Sequence, residues 1–236
     1  MKVDGESRRG LLIAFEGPDG SGKTTQRKLL KDWLVGRNQS VTVTKWNSSP
    51  TYKPIIKARK AEKSLTPEDY AVLHAVDFRD RYANEILPAL SNGHTVLCDR
   101  YVFTGVARDV ARGLDRAWSM KLYEPVLWPD LVFYFSASPD TCSQRITATR
   151  TLRYYESGQD VTGIADPLES YRVFTTRVIA EYARLNQTFL FMIVDAEKGI
   201  FDQHDFIRNV FAARQSAGAG KGPDEINEKG LAATAF

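Results

Sequence analysis

Residues 17–24, which read GPDGSGKT, decide the fold of this chain. They fit the pattern G-x-x-x-x-G-K-[ST] of a loop that wraps the phosphates of a nucleotide. The apolar run 11–15 predicts a buried strand entering the loop, and residues 25–34 predict a helix leaving it. That strand–loop–helix setting is the context that the motif requires. The sequence therefore predicts a nucleoside triphosphate site near the amino end of the chain.

The chemistry of the predicted loop comes from its glycines and from the helix behind it. Glycines let successive N–H groups turn inward as an anion-binding concavity, and the helix adds unpaired donors and the positive end of its dipole. We expect Lys23 to reach the β- and γ-phosphates and the Thr24 hydroxyl to bind Mg²⁺. A glycine-rich turn without a ligand is the alternative. The residues predicted to bind ATP are Gly17, Asp19, Gly20, Ser21, Gly22, Lys23, Thr24 and Thr25.

Composition narrows the class of protein. The chain has 236 residues, of which 43% are hydrophobic and 26% are charged, as expected for one globular α/β domain. A net charge of +3 is not the large basic excess that is typical of nucleic-acid-binding proteins, so we expect no nucleic-acid partner. The longest apolar runs are too short to span a bilayer, and residues 1–9 lack the apolar core of a signal peptide. We therefore expect a cytoplasmic protein with no membrane partner.

Five short apolar runs alternate with helical patterns, at residues 11–15, 41–44, 95–98, 131–135 and 189–194. Such a pattern predicts a three-layer α/β/α fold of the P-loop NTPase type, with a five-stranded parallel sheet. Beyond the first helix, helices are predicted over 66–87, after residue 100, from 138, over 166–185 and over 203–214. The predicted compact domain spans residues 10–213, with a lid at about 147–165. Residues 1–9 are expected to be a flexible N-terminus and 214–236 a disordered tail.

A second group of polar residues comes directly after the strand predicted at 95–98. The carboxyl ends of parallel strands are where ligands bind in open α/β sheets. Asp99 is expected to support Mg²⁺ through water or to orient the acceptor, and the planar fork of Arg100 suits a phosphate. A structural ion pair is the alternative for these two. Arg108 and Arg112 lie four residues apart on the next predicted helix, where they form either a solvated face or a substrate contact.

A third group consists of arginines between two predicted helices. Arg145, Arg150 and Arg153 precede a stretch of flexible residues that ends at Gly163. A cation added over a migrating phosphoryl group stabilises the charge on its oxygens, and closing such a segment excludes water. These residues predict a flexible lid that carries arginine, and a solvated basic surface is the alternative.

With these three groups in order, the chain resembles the thymidylate kinase family of nucleoside monophosphate kinases over about residues 10–212. FEGPDGSGKTTQ at 15–26 looks like the opening of that family, and DRYVFTGVA at 99–107 is similar to its D-R-Y-x-F-S-G-V-A pattern. The resemblance implies transfer of the ATP γ-phosphoryl group, with Mg²⁺, to dTMP or a related deoxynucleoside monophosphate. It also implies a homodimer. The alternatives are a deoxynucleoside kinase or a kinase of a modified nucleotide, and a nucleotide-binding switch without kinase activity.

The resemblance also implies roles for single residues. Asp19 would touch the sugar hydroxyl of the acceptor, Arg100 would clamp its phosphate and Arg79 would lie near its base. Gly20 stands where some members carry a catalytic arginine, so a lid arginine is expected to supply that charge. The residues implied for catalysis are Lys23, Asp99, Arg100, Arg150 and Arg153, and those for the metal are Thr24 and Asp99. Those implied for the acceptor are Asp19, Phe78, Arg79, Arg100, Phe103, Thr104, Arg108 and Tyr155.

Three departures from the family pattern fall on the acceptor pocket. Residues 44–50 read TKWNSSP where the family has T-R-E-P or F-P-x-R, so the arginine and the acid are missing. The aromatic residue expected four positions before Arg79 is Ala75, which leaves Phe78 or Trp46 as possible replacements. Arg108 and an aspartate stand where bacterial members have Tyr-Gln. These changes bear on the choice of acceptor rather than on the class of reaction.

Overall fold

A five-stranded, all-parallel sheet forms the centre of the computed structural model, which describes residues 9–218. The strand order is β2-β3-β1-β4-β5, so β1 and β3 are neighbours although β2 lies between them in the chain. The strands are β1 (Leu12–Glu16), β2 (Val41–Lys45), β3 (Thr95–Asp99), β4 (Leu131–Ser136) and β5 (Met192–Asp195). Helices on both faces complete the predicted three-layer α/β/α fold, which the structure confirms.

The alternation of side chains along the strands builds two cores, one on each face of the sheet. Leu12 and Ala14 of β1 belong to one cluster of buried residues, while Ile13 and Phe15 belong to the other. The first cluster includes residues of the helices between positions 67 and 189, and the second includes residues of the first and last helices. Because β1 and β3 pair in parallel with Phe15 opposite Asp99, the loop after β1 starts beside Asp99.

Eleven helices and one π-helical turn connect and flank the strands in the described part of the chain. They are α1 (Lys23–Val35), α2 (Tyr52–Ala61), α3 (Pro67–Arg81), the π-helical turn Tyr82–Ile86, α4 (Leu87–Ser91), α5 (Val102–Ala111), α6 (Arg116–Tyr123), α7 (Pro139–Thr147), α8 (Tyr154–Ser157), α9 (Gln159–Thr162), α10 (Pro167–Phe189) and α11 (Ile200–Gly218). Thr66, Ser138 and Asp166 cap α3, α7 and α10 with their side chains, as the Thr-Pro, Ser-Pro and Asp-Pro sequences predict. No described helix has both the length and the apolar character needed to cross a bilayer.

Several boundaries differ from the prediction. Phe189 ends α10 and does not begin the last strand, because Leu190 adopts a left-handed cap and Asn186 accepts a hydrogen bond from the Phe191 backbone N–H. The last helix continues past the predicted domain end at 213. The first residues of the predicted tail are therefore helical, and one of them, Arg214, donates to Asp130 at 3.2 Å. The expectations for residues 1–8 and 219–236 fall outside the described residues.

Candidate active site

The loop between β1 and α1 is held in a conformation that needs glycine. Gly20 has a φ of +82°, and a Cβ built there would lie only 2.4 Å from the carbonyl oxygen of Cys142 in α7. The Lys23 side chain is almost fully buried; its Nζ donates to Pro18 O at 2.5 Å and to Ser21 Oγ at 3.0 Å. The ammonium group of Lys23 therefore links two other residues of the loop from its inner side.

Burial, together with the charge of Arg100, lowers the pKa of Lys23 to about 7, although the nearby Asp19 and Asp99 raise it. A buried ammonium group with a depressed pKa is stabilised by any anion brought next to it. The positive end of α1 points at the same space. The loop is therefore poised to gain stability from a bound polyphosphate.

Thr24 and Asp99 meet at the mouth of the loop. The Thr24 hydroxyl donates to Asp99 Oδ2 at 2.9 Å, and Arg27 Nε approaches the same oxygen at 3.3 Å. A hydroxyl and a carboxylate are oxygen ligands of the kind that Mg²⁺ prefers. The described residues contain no group of three acidic, histidine or cysteine side chains that could hold a metal alone. The pair thus fits an ion that takes its other ligands from nucleotide oxygens and water.

Arg100 occupies a strained backbone position beside the loop. Its φ of +75° lies in the left-handed region, which side-chain-bearing residues rarely adopt and which is often found at functional sites. Its backbone N–H donates to Phe15 O at 3.1 Å, and its guanidinium donates to Gly17 O at 2.9 Å and Thr104 Oγ1 at 3.1 Å. The strained turn therefore aims the guanidinium at the phosphate loop.

Asp19 lies between two arginines. Arg100 donates to its Oδ1 at 2.5 Å, and Arg108 donates to its Oδ2. Burial alone would raise the pKa of Asp19, but the charges of Arg100, Arg108 and Lys23 hold it far below its usual range. The guanidinium groups of Arg100, just before α5, and of Arg108, within α5, thus contact the two oxygens of one carboxylate in the loop.

Glu16 is a member of the site to which the sequence patterns assign no role. It is fully buried at the end of β1 and accepts hydrogen bonds from Tyr101 N (2.7 Å), Thr104 Oγ1 (2.5 Å) and Tyr182 Oη (2.7 Å). Burial raises its pKa. Because Thr104 also contacts Arg100, Glu16 positions the arginine through the threonine. An acid at the end of an apolar strand was the signal that could have revealed it.

The lid packs against α5 through Arg112. This arginine is buried, donates to Asp160 Oδ2 at 2.7 Å and to Tyr155 O at 2.8 Å, and lies 3.9 Å from the centre of the Tyr70 ring. The alternative of a solvated face is therefore wrong for Arg112, and a substrate contact stays a prediction. The Tyr155 hydroxyl accepts from Leu65 N at 3.0 Å, so the lid also contacts the segment before α3.

The lid arginines named for catalysis lie on the outer part of this segment. Arg150 is partly exposed and forms a bidentate pair with Glu156, at 2.5 and 2.7 Å. Arg153 is exposed, and its backbone N–H donates to the same glutamate at 3.3 Å. Neither guanidinium has a described hydrogen bond to the phosphate loop. The catalytic role of Arg150 and Arg153 therefore stays a prediction.

Three residues expected at the acceptor have no described contact with the phosphate loop. Phe78 is fully buried and packs on the rings of Tyr82, Tyr101 and Tyr123. Phe103 is also fully buried, against Trp128, Phe189 and Phe191. Arg79 is exposed and donates to Pro125 O at 2.8 Å. The structure brings Thr104 and Arg108 to the loop, but it brings none of these three there, because neighbouring positions on a helix point in different directions.

The segment after β2 lacks the arginine and the acid of the family pattern, and a buried ion pair on α3 holds its backbone. Asp77 accepts from the backbone N–H of Asn47 (3.1 Å) and Ser49 (2.9 Å), and the buried Arg81 donates to Asp77 at 2.9 Å. Trp46 in this segment is half-buried and stacks against His74, with 11° between the rings. The Trp46 backbone N–H donates to Asp99 O at 2.9 Å, so Trp46 and His74 form an aromatic wall near the strand end that carries Asp99.

Comparison with known proteins extends these observations. The thymidylate kinase family profile matches residues 15–207. The chain is 40% identical over 204 residues to a probable thymidylate kinase 2 of Saccharolobus solfataricus, covering 86% of this chain and 95% of that protein. It is 35% identical over 154 residues to a probable thymidylate kinase of Pyrococcus horikoshii, covering 63% and 75%. It is 30% identical over 162 residues to a thymidylate kinase of Rickettsia peacockii, covering 66% and 77%.

The family match covers the phosphate loop, the Asp99–Arg100 pair and the lid, which are the parts that the structure assembles at one edge of the sheet. The relatives are phosphotransferases that act on nucleotides, and the first of them is matched along nearly its whole length. This chain belongs to the thymidylate kinase family.

Proposed function

We propose that this chain transfers the γ-phosphoryl group of ATP to dTMP and so forms dTDP. The observation that carries the proposal is the convergence of Arg100 and Arg108 on Asp19 beside the phosphate loop. Such a pair of guanidiniums is a second anion site next to the donor site, which a protein that only binds a nucleotide does not need. The names of the relatives support dTMP as the acceptor.

On the donor side, the loop amides and Lys23 hold the phosphates of ATP. Thr24 and Asp99 would hold Mg²⁺, and the bound ion supplies neutralisation of the charge on the donor phosphates. Little covalent chemistry is asked of the protein, since alignment and charge stabilisation account for most of the catalysis in phosphoryl transfer. Lys23 regains a fully charged ammonium group when phosphate oxygens surround it.

On the acceptor side, Arg100 and Arg108 bind the monophosphate. A phosphate offers the arginines more oxygens and more charge than the Asp19 carboxylate does. When the phosphate takes over the two guanidiniums, Asp19 is released and can accept a hydrogen bond from the acceptor's sugar hydroxyl. The three residues thus change partners on binding, and the acceptor oxygen is placed in line with the donor.

The lid supplies the cation that the loop lacks. An arginine at position 20 would meet the Cys142 carbonyl oxygen, so the loop cannot carry this charge. Arg150 or Arg153 provides it when the nucleotides are bound, and its guanidinium stabilises the negative charge on the transferring group. The homodimer and the cytoplasmic location implied by the family stay predictions; sedimentation at working concentration tests the first.

The experiment is a panel of acceptors with ATP and Mg²⁺, in which products are separated by chromatography. The panel contains dTMP, dUMP, dCMP, dAMP, dGMP and thymidine, and we expect dTDP to form fastest. Lys23→Ala and Arg100→Ala should each lower turnover by orders of magnitude while the circular dichroism spectrum is unchanged. Faster phosphorylation of thymidine than of dTMP would instead identify a nucleoside kinase. ATP binding without transfer to any acceptor would identify a nucleotide switch.

A further inference from the structure

The hydroxyl of Tyr123 is a buried polar group without a role in the proposed reaction. Its side chain is 2% exposed, and its Oη has no hydrogen-bond partner among the described residues. Leaving such a group unpaired costs about 1–3 kcal/mol, so each one in a folded protein needs an explanation. Other buried tyrosine hydroxyls do have partners, namely those of Tyr82, Tyr101, Tyr155, Tyr171 and Tyr182.

The hydroxyl lies against the helix that carries the acceptor-phosphate residues. Tyr123 ends α6, and a Cβ built on Gly105 of α5 would lie 2.0 Å from its Oη. Only glycine allows α6 to approach α5 so closely. The neighbours of Gly105 on this helix include Thr104, which contacts Arg100, and Arg108, which contacts Asp19. The unpaired hydroxyl therefore occupies the space that a side chain at position 105 would fill.

The ring of Tyr123 belongs to a row of neighbouring aromatic rings. The ring of Tyr123 lies 6.2 Å from that of Trp46, which in turn lies 6.1 Å from His74. Trp46 is half-buried, so it is the member of this aromatic wall that a ligand meets first. Aromatic faces of this kind stack on nucleobases.

The polar groups around the wall fit a carbonyl-bearing ring. Lys60 Nζ lies 3.0 Å from His74 Nε2, and the ion pairs of the described chain give it no carboxylate partner. A second buried atom without a partner among the described residues, Oδ1 of Asn47, belongs to the residue next to Trp46. The unpaired hydroxyl donor thus belongs to a ring that packs near this indole, and the unpaired amide acceptor belongs to the residue that follows the indole in sequence. A pyrimidine imide, with carbonyl oxygens beside an N–H group, offers the complementary set.

We propose that Tyr123 determines the choice of acceptor, because its hydroxyl donates a hydrogen bond to a carbonyl oxygen of the acceptor's pyrimidine ring. This inference rests on the proposed function and names the residue that reads the base. Because the hydroxyl is buried, the half-buried Trp46 moves aside when the base enters. The base is thereby read from α6 rather than from Arg79 or Phe78.

The test is Tyr123→Phe, which removes only the hydroxyl. Isothermal titration with dTMP and with ADP, and steady-state kinetics with both substrates, should show dTMP bound about tenfold more weakly, which is about 1.4 kcal/mol. The Kd for ADP and the kcat at saturating dTMP should stay within about twofold of the wild type. The melting temperature should be unchanged or higher, because an unpaired buried hydroxyl is gone.

Tyr82→Phe is the matched control, because the hydroxyl of Tyr82 is also buried but accepts a hydrogen bond from Leu127 N at 2.8 Å. It should lower the melting temperature and leave the Kd for dTMP unchanged. Wild-type affinity for dTMP in Tyr123→Phe would overturn the inference while leaving the proposed function intact. Absence of any monophosphate phosphorylation by the wild type would overturn the proposed function and this inference together.

Discussion

Replacing Arg108 by methionine should weaken the hold on the acceptor and leave the donor site unchanged. Methionine keeps much of the volume of the arginine stem and removes the guanidinium. In the structure Arg108 donates to one oxygen of Asp19 while Arg100 donates to the other at 2.5 Å. A phosphate bound there would keep one of its two guanidinium contacts and lose the other.

The size of the effect depends on the burial of the side chain. A hydrogen bond to a charged group contributes about 1.5–3 kcal/mol. The Arg108 side chain is only 12% exposed, so water screens this contact weakly. We therefore expect kcat/KM for dTMP to fall about 10- to 150-fold, which is the rate equivalent of that free energy. The KM for ATP should not change, because the Arg108 side chain donates to Asp19 and has no described hydrogen bond to Lys23, Thr24 or Asp99.

The assay is steady-state kinetics in which dTMP is varied at saturating ATP and ATP is varied at saturating dTMP. Arg172→Met is the control, since Arg172 forms an exposed ion pair with Asp140, and such pairs contribute at most about 1 kcal/mol. It should leave both constants unchanged. The reasoning is refuted if Arg108→Met changes kcat/KM for dTMP less than about threefold, or if the loss appears in the KM for ATP.

Three further predictions concern the loop, the lid and a buried acid. Gly20→Ala should lower ADP affinity at least about tenfold in calorimetric titration, since its φ of +82° and the Cys142 carbonyl at 2.4 Å exclude a Cβ. Asp160→Ala should lower the free energy of unfolding in urea by about 3 kcal/mol, because it leaves the buried Arg112 without its carboxylate. Burial raises the pKa of Asp109 from 3.8 to about 6, so the folded protein holds that proton more tightly than the unfolded chain. Relative to Asp109→Asn, wild-type stability measured by urea unfolding should be highest below pH 3.8, fall as the pH rises to about 6 and stay level above.

Each of these has a clear contrary result. Wild-type ADP affinity in Gly20→Ala would mean that α7 yields to the new methyl group. A change below about 1 kcal/mol in Asp160→Ala would place the lid among weakly held surface segments. A stability difference between wild type and Asp109→Asn that is the same at every pH would show that the acid keeps an ordinary pKa in the folded protein.

The sequence predicts the sheet well because β1, β3 and β4 are buried on both faces. Their apolar runs are nearly continuous, and the loop motif fixes the turn and the helix after β1. The helices α2 and α6 escaped prediction for the opposite reason, while α8 and α9 are short helices in the segment predicted to be flexible. Only Ile56 of α2 is buried, and only Ser119 and Tyr123 of α6, so neither helix shows an apolar stripe.

The structure groups the predicted site residues that come directly after a strand end, and it keeps two that lie on α3 away from the phosphate loop. Asp19, Lys23 and Arg100 are placed by the loop and by a tight turn, so the strand order determines their positions. The directions in which Arg79 and Phe78 point depend on the rotation of α3 about its axis. An error of one sequence position changes this rotation by about 100°. The sequence pattern alone does not fix that rotation. The structure shows that Phe78 lies on the buried face of α3 together with His74 and Asp77, whereas Arg79 is exposed.

The contact between the phosphate loop and α7 also bears on ancestry. With the Cys142 carbonyl oxygen seated where a side chain at position 20 would begin, an arginine at this position requires α7 to shift as well. The seventh helix must first retreat, and that shift has no benefit until the new cation arrives. Lineages that keep their arginine in the loop and lineages that keep it in the lid are therefore separated by a coupled pair of changes, and sampled intermediates between them should be rare.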